Sequence, residues 1–76
     1  MINLRDTAVL KKFGQHVKQL REKAGLTQEQ LANDMNVEIS QISRIELGKV
    51  NTSLCTMVKL AEMLKISPSK LLDVDL

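Results

Sequence analysis

The sequence has few of the residues on which several kinds of fold and site depend. Its 76 residues include one cysteine, one histidine, one proline, three glycines and one phenylalanine, and neither tryptophan nor tyrosine. A single cysteine, Cys55, excludes an internal disulfide, and with His16 as the only histidine a four-ligand zinc site of the usual kind cannot be assembled. We therefore expect no metal and no cofactor. Cys55 is interpreted as a small helical packing residue and His16 as a solvated helix residue.

Long apolar runs and turn-forming residues are also scarce. One proline and three glycines leave little scope for a β-rich fold, so the composition indicates an all-α protein. The longest apolar run, at residues 8–10, is too short for a signal peptide or a membrane span, so we expect a cytoplasmic protein that does not enter the membrane. A chain of this size buries only about 60% of its unfolded surface. We interpret residues 1–76 as a single domain of marginal stability that a partner subunit would stabilise.

The formal net charge of +2 is unevenly distributed along the chain. Residues 1–25 hold six Lys or Arg against two acids, residues 26–47 hold only Arg44 against four acids, and residues 48–76 hold four Lys against three acids. The cations therefore flank the central segment. They are either solvated helix faces or a collar of positive potential that attracts phosphates.

The central segment, residues 27–48, has the most informative spacing. Thr27 and Gln30 form a capping pair that starts a helix, because the hydroxyl accepts from a free backbone amide and the glutamine side chain reaches back. Asn36 tolerates the left-handed conformation that a sharp exit from this helix requires. The helix between them has one apolar stripe, formed by Leu31, Ala32 and Met35.

A second short helix follows the turn and ends at Gly48. At about 100° per residue, burial of Ile42 and Ile45 directs one short and mostly polar face outward. Ile39 lies about 90° from the buried direction, so the spacing leaves open whether it belongs to the core. The residues of the outward face are Ser40, Ser43, Arg44 and Leu47.

Helices are also predicted on both sides of this pair. The first runs from about Thr7 to Ala24, and Gly14 in its interior costs about 1 kcal/mol relative to alanine, which indicates a close helix contact there. Ser67-Pro68 begins a short fifth helix. Ser53 caps a fourth helix whose apolar face comprises Leu54, Met57, Val58, Ala61 and Leu64.

These positions resemble the helix-turn-helix of the lambda-repressor-like (Xre) family of DNA-binding proteins, and the resemblance covers about residues 10–72. It implies an all-α, five-helix lambda-repressor-like domain, with the helix-turn-helix formed by helices 2 and 3 at about residues 27–48. The residues that match at the family's intervals are Leu31, Ala32, Met35, Asn36, Val37, Ile42 and Ile45.

The resemblance also implies which residues contact double-stranded DNA. Base-reading positions are held by Ile39, Ser40 and Arg44: an arginine suits guanine O6 and N7, a serine donates or accepts, and an isoleucine suits a thymine methyl group. The remaining DNA-binding residues, several of them implied phosphate contacts, are Gln28, Gln41, Ser43 and Lys49.

An ion pair between Arg21 and Glu46 is a further implication of the resemblance, and it would tie the first helix to the end of the recognition helix. Spacing alone leaves these residues as two exposed charges. The sequence departs from the family pattern at Asn36 in place of glycine, at Glu38 in place of a serine or threonine cap, and at Leu47. These departures predict modest affinity for the DNA backbone.

The resemblance implies a sequence-specific transcriptional regulator and not an enzyme, and no Ser/His/Asp set or glycine-rich phosphate loop is present in the sequence. We expect a homodimeric repressor or autoregulator that binds a palindromic operator through helix 3 in the major groove. We expect it to be a bacterial or phage protein associated with the nucleoid. The sequence is compatible with three kinds of small stand-alone regulator: a phage repressor, a restriction-modification controller and an antitoxin. The alternative is a protein-interaction module, an antitoxin or adaptor with weak or no DNA binding, whose partner is a toxin or a polymerase.

Overall fold

Five helices and no strand make up the part of the chain that the structure, a computed structural model, describes, which is residues 4–76. This confirms the predicted all-α, five-helix fold. The helices are α1 (Thr7–Lys23), α2 (Gln28–Met35), α3 (Ile39–Glu46), α4 (Leu54–Met63) and α5 (Pro68–Leu71). Within the described residues, no helix has both the length and the apolarity needed to cross a membrane.

Side chains cap three of the helices at their N-termini. Thr27 accepts from the backbone amide of Gln30 at 3.0 Å while the Gln30 side chain accepts from the Thr27 amide at 2.8 Å, which is the predicted capping box. Ser53 caps α4 by accepting from the Thr56 amide at 3.1 Å. Asp6, which the sequence analysis did not single out, accepts from two amides in the first turn of α1. Most helix starts therefore follow from local side-chain chemistry.

Asn36 makes the turn between α2 and α3. Its backbone is left-handed, with φ 56° and ψ 46°, as predicted. The Val37 amide donates to the carbonyl of Ala32 at 3.0 Å, so the chain leaves α2 abruptly and Val37 packs against the core. This turn fixes the direction in which α3 departs.

The core lies where α1, the α2–α3 pair and the α4–α5 pair meet. Ile42 and Leu31 are fully buried, so α2 and α3 are joined through apolar side chains. The buried cluster contains Phe13, Val17, Leu31, Ala32, Met35, Ile42, Ile45, Leu60, Leu64 and Leu71.

The predicted apolar face of α4 is wrong in part. Leu60, which was not assigned to that face, is fully buried, whereas Leu54 is 71% and Val58 is 46% exposed. α4 packs against α2 and α5, and its fully buried residues, Leu60 and Ala61, lie in its second half, whereas Leu54 and Val58 face outward. Helical spacing identifies apolar positions but does not determine which of two adjacent faces meets a neighbour.

Two single residues also differ from expectation. Nε2 of His16 donates to the carbonyl of Lys70 at 3.0 Å and the ring is half-buried, so His16 links α1 to α5 and is not simply solvated. Cys55 is exposed and is not a packing residue.

Candidate nucleic-acid interface

The outward face of α3 is the first component of the candidate site. Ile42 and Ile45 anchor the helix, with 0% and 5% of their surface exposed. Ser40, Gln41 and Arg44 are exposed on its outer side, and Ser43 is half-buried. The eight residues of α3 thus form a narrow ridge that carries hydroxyl, amide and guanidinium groups.

Ile39 begins the ridge. Its side chain is 48% exposed, and it does not belong to the buried core. The question that helical spacing left open is therefore answered in favour of an exposed position at the N-terminus of α3. Glu38 occupies the cap position before it and makes no side-chain capping hydrogen bond.

A buried ion pair holds the other end of α3. Nε of Arg21 lies 2.7 Å from Oε2 of Glu46, and Nη2 lies 3.1 Å from Oε1, a bidentate arrangement. The Arg21 Nη1 also donates to the carbonyl of Leu26 at 2.7 Å. Both charged residues are buried, at 7% and 6% exposed. The pair therefore connects α1 to the last residue of α3.

The charge of Arg21 is secured by this arrangement. The hydrogen bond to Glu46 raises the pKa of Arg21, burial opposes that rise, and the negative charges of Glu46 and Glu22 add to it. Because the pKa is raised from a value that is already far above neutrality, Arg21 is charged throughout the neutral range.

Gln28 joins the same network. Its Nε2 donates to Oε1 of Glu46 at 2.9 Å, so the first residue of α2 is also linked to the last residue of α3. The family resemblance implies that Gln28 contacts a phosphate. The structure places it half-buried between the two helices, with one amide hydrogen committed to Glu46.

Two glycines bring α1 close to the end of α3. A Cβ on Gly14 would lie against the carbonyl oxygen of Ile45 and 2.6 Å from that of Glu46, which confirms the predicted close contact. A Cβ on Gly48, whose φ is +73°, would lie 2.7 Å from Cα of Lys11. Lys49 follows this contact, and its side chain is exposed. The backbone amide of Lys49 donates to the backbone carbonyl of Arg44 at 2.9 Å.

A groove lies on each side of the α3 ridge. On one side, a cavity of about 460 Å³ separates α3 from the loop 50–53 and the start of α4, and Gln41, Arg44 and Lys59 contribute to its lining. On the other side, a cavity of about 290 Å³ lies between α3 and α1. We call this second cavity the α1–α3 groove; its lining residues are Lys11, Gln15, Lys18, Gln28, Ser43, Glu46 and Leu47.

The α1 residues of this groove were not singled out from the sequence. The signal that places Lys11, Gln15 and Lys18 on one helix face is their spacing of four and three residues. From the sequence alone, the two lysines are only part of the basic segment at residues 1–25, because nothing in their spacing shows that this face borders α3.

Three comparisons relate the chain to known proteins. It matches the model of the helix-turn-helix family over residues 17–71. Control protein C.BamHI from Bacillus amyloliquefaciens is 40% identical over 62 residues, which are 80% of this chain and 76% of that protein. The crystal structure of the restriction-modification controller protein C.AhdI from Aeromonas hydrophila is similar with a TM-score of 0.81 and 42% identity, covering 84% of this chain and 97% of that one.

The clp gene regulator ClgR from Corynebacterium glutamicum has the same fold, with a TM-score of 0.79 and 22% identity over 93% of this chain and 85% of that one. The family model covers most of the chain, two relatives are at least 40% identical to it, and the structure contains the exposed third helix that the resemblance implies. The protein therefore belongs to the helix-turn-helix family of DNA-binding transcriptional regulators, of the lambda-repressor-like (Xre) type.

Proposed function

We propose that this protein is the controller of a restriction-modification system, a dimeric regulator that occupies a palindromic operator at the promoter of its own operon. The observation that carries this proposal is the likeness to C.AhdI, a restriction-modification controller, at 42% identity over nearly all of that chain. The control protein C.BamHI supports the same assignment. Members of this family are transcriptional regulators and not enzymes.

In this proposal α3 enters the major groove and its ridge reads the bases. Arg44 has the reach and the two-pronged donor geometry for guanine O6 and N7, and Gln41 suits adenine N6 and N7. Ser40 donates to or accepts from a base edge, and the exposed Ile39 meets a thymine methyl group. Base contacts of this kind distinguish one operator from another.

Backbone contacts then fix the register of the protein on the duplex. Ser43 is half-buried on the side of the ridge that borders α1, and Lys49 is exposed after the end of α3; both supply hydrogen bonds to phosphates. Gln28 keeps one amide hydrogen for a phosphate while the other is held by Glu46, so the α2 N-terminus and α3 meet the DNA as one unit.

Dimerisation extends recognition over two half-sites. One α3 helix covers only a few base pairs, and two-fold dimers of this architecture bind half-sites about one helical turn apart. The exposed apolar residues of α4 and the C-terminal segment support a dimer interface there: Leu54, Val58, Leu72 and Leu76. We take residues 1–76 to act as one domain, in the bacterial cytoplasm and on the nucleoid.

One observation favours a second candidate function. Leu47, next to the polar ridge, is 54% exposed, and residues 26–47 carry four acids against the single cation Arg44. A protein partner such as a toxin or a polymerase would cover an apolar side chain at that place, whereas DNA gains less from it. An antitoxin or adaptor of this kind would bind DNA weakly.

Selection of binding sites from random duplexes, followed by mobility-shift titration over a salt series, tests the proposal. A controller should enrich one palindrome, and that palindrome should lie upstream of its own gene and next to genes for a methyltransferase and an endonuclease. Contacts with about 6–10 phosphates should lower affinity by roughly 10³–10⁵ between about 50 and 200 mM salt. Failure to enrich any sequence, together with capture of one protein partner, would instead support the adaptor function.

A further inference from the structure

We propose that the α1–α3 groove holds the sugar-phosphate backbone of the DNA strand on that side of the recognition helix, with Lys11 and Lys18 as its phosphate-binding residues. This inference rests on the proposed docking of α3 in the major groove. It adds α1 to the DNA interface and assigns a partner to a surface outside the helix-turn-helix.

The two lysines face the same way. Lys11, Gln15 and Lys18 are exposed and follow one another at intervals of four and three residues, so they lie along one face of α1. They form one wall of the groove, while Ser43 and Leu47 of α3 contribute to the other. A polar and cationic wall therefore stands directly beside the ridge that enters the DNA.

Glycine contacts keep this wall against α3. The missing side chain at Gly14 lets α1 touch the carbonyl oxygens of Ile45 and Glu46, and the one at Gly48 lets the backbone of Lys11 reach the end of α3. Because these close approaches involve backbone atoms, the part of α1 that carries the lysines is held against the end of α3. The groove is thus a fixed feature of the recognition surface.

The α1 wall of this groove carries two cations, Lys11 and Lys18. The only acid that lines the groove, Glu46, is buried and already paired with Arg21, so it leaves little negative charge to repel a phosphate. Lys11 and Lys18 have no ion-pair partner among residues 4–76. The cavity on the other side of α3 is lined by Arg44, which belongs to the ridge itself, and by Lys59, which lies 3.4 Å from Glu62.

The dimensions of a helix in DNA favour a phosphate backbone as the occupant. An α-helix with its side chains is about 10–12 Å across, and the major groove of B-DNA is about 12 Å wide. A helix that fills the groove therefore has phosphates against both of its flanks. One flank of α3 is the wall shared with α1, so a bound duplex carries one strand past Lys11 and Lys18.

The double variant K11Q/K18Q tests this assignment, with K12Q/K23Q as the matched control. Lys12 and Lys23 are exposed on the same helix, about 100° or more around it from the groove face, and their replacement removes the same charge. Binding is titrated between about 50 and 200 mM KCl on the selected site, in a duplex of about 30 base pairs that holds two half-sites. Circular dichroism verifies that both double variants fold.

For K11Q/K18Q we expect the slope of log K against log salt to become shallower by about 1.8 per bound protomer. The affinity at about 0.15 M salt should fall roughly 30-fold per protomer. The preference for the selected site should not change. The control should keep the wild-type slope. Equal slope changes in the two double variants would show that the lysines of α1 attract DNA only through the overall positive potential of the protein. That result would overturn the assignment. An unchanged slope in K11Q/K18Q, as expected if the groove receives an acidic peptide, would also overturn it. Neither result affects the regulator proposal, which fails only if the wild-type protein shows no site preference.

Discussion

Glu46 is the side chain through which two other helices act on α3. It accepts hydrogen bonds from Arg21 of α1 and from Gln28 of α2, and it is almost completely buried. A buried charge pair adds little net stability compared with apolar residues, but loss of one partner leaves the other charge uncompensated. The pair therefore fixes where α3 lies more than it strengthens the fold.

Glu46→Gln should lower the free energy of unfolding by about 3–5 kcal/mol, because it leaves Arg21 buried and unpaired. Denaturant unfolding measures this change. Glu62→Gln is the control, since it breaks the exposed pair with Lys59 and should cost no more than about 1 kcal/mol. The double replacement R21M/E46L should recover most of the loss. A cost below about 1 kcal/mol for Glu46→Gln would mean that the pair does not hold α3.

The raised pKa of Arg21 determines how this pair responds to pH. A cation whose pKa is higher in the folded state stabilises the fold fully below its unfolded-state pKa, and that stabilisation is lost only as the pH rises through the folded-state pKa. Both values lie far above neutrality for an arginine. Deprotonation of Arg21 therefore does not loosen α3 at any pH near 7.

Arg44→Ala should weaken binding to the selected operator by about 1–3 kcal/mol and relax preference at one base pair, because a bidentate contact to guanine is lost. Competition titrations with operators substituted at each position measure both effects. Arg44→Lys keeps the positive charge but not the two-pronged donor geometry. It should therefore restore the electrostatic attraction to the phosphates without restoring the preference at that base pair. If alanine weakens binding equally for every sequence, Arg44 contacts a phosphate and not a base.

At the residue scale, sequence spacing predicted which α3 side chains are exposed but not what holds them there. The 3.6-residue repeat directs Ser40 and Arg44 outward once Ile42 and Ile45 are buried. The bond from Gln28 to Glu46 depends on the rotamers of two long side chains on different helices, and no local pattern encodes those rotamers.

At the scale of elements, the starts and ends of α2 and α3 and the start of α4 were more predictable than the packing of the helices. The Thr27 and Ser53 caps and the left-handed Asn36 are local features, so a single sequence reveals them. The buried face of α4 depends on where α2 and α5 lie, and for that reason Leu60 was missed and Leu54 was assigned to the wrong side. The α1–α3 groove was missed for the same reason.

The contact of α1 with α3 has its own test. Gly14→Ala gains about 1 kcal/mol in helix propensity, but its Cβ meets two backbone carbonyls that cannot turn aside. We expect a net loss of about 1–2 kcal/mol or more in unfolding free energy, together with weaker DNA binding, because α1 and α3 must separate. Thermal melts and mobility shifts measure the two effects. The exposed Gln19→Ala should change stability by no more than about 0.5 kcal/mol, and wild-type stability in Gly14→Ala would contradict the close contact.

At the scale of the whole molecule, the helices divide the work of recognition. α1 and α2 pack on α3 and hold it outward, whereas α4 packs chiefly on α5 and α2. The exposed apolar residues Leu54 and Val58 lie on α4 and are not among the residues that line the cavity between α3 and α4. The proposed DNA-reading unit and the proposed dimer surface are thus on different helices of one small core, so we expect that each can be altered without the other.

A dimer would also explain how so short a chain is stable. A domain of this size buries a smaller share of its unfolded surface than a larger domain does, so covering Leu54 and Val58 with a second copy adds apolar burial that the monomer lacks. Folding coupled to association makes the melting temperature rise with protein concentration. We therefore expect the wild-type protein to sediment at twice 8.5 kDa and to melt at higher temperature as its concentration increases.

L54D/V58D should abolish the sedimentation as a dimer and the rise of melting temperature with concentration, because charges at an apolar interface lose their hydration without gaining a partner. It should also weaken binding to the full palindrome far more than binding to one half-site. Leu47→Asp places one such charge on a leucine that is 54% exposed beside the α3 ridge, and it should leave sedimentation unchanged while it impairs DNA binding by repelling phosphates. If Leu47→Asp dissociates the dimer and L54D/V58D does not, the two-fold contact involves α3. The separation of roles between the helices would then be lost.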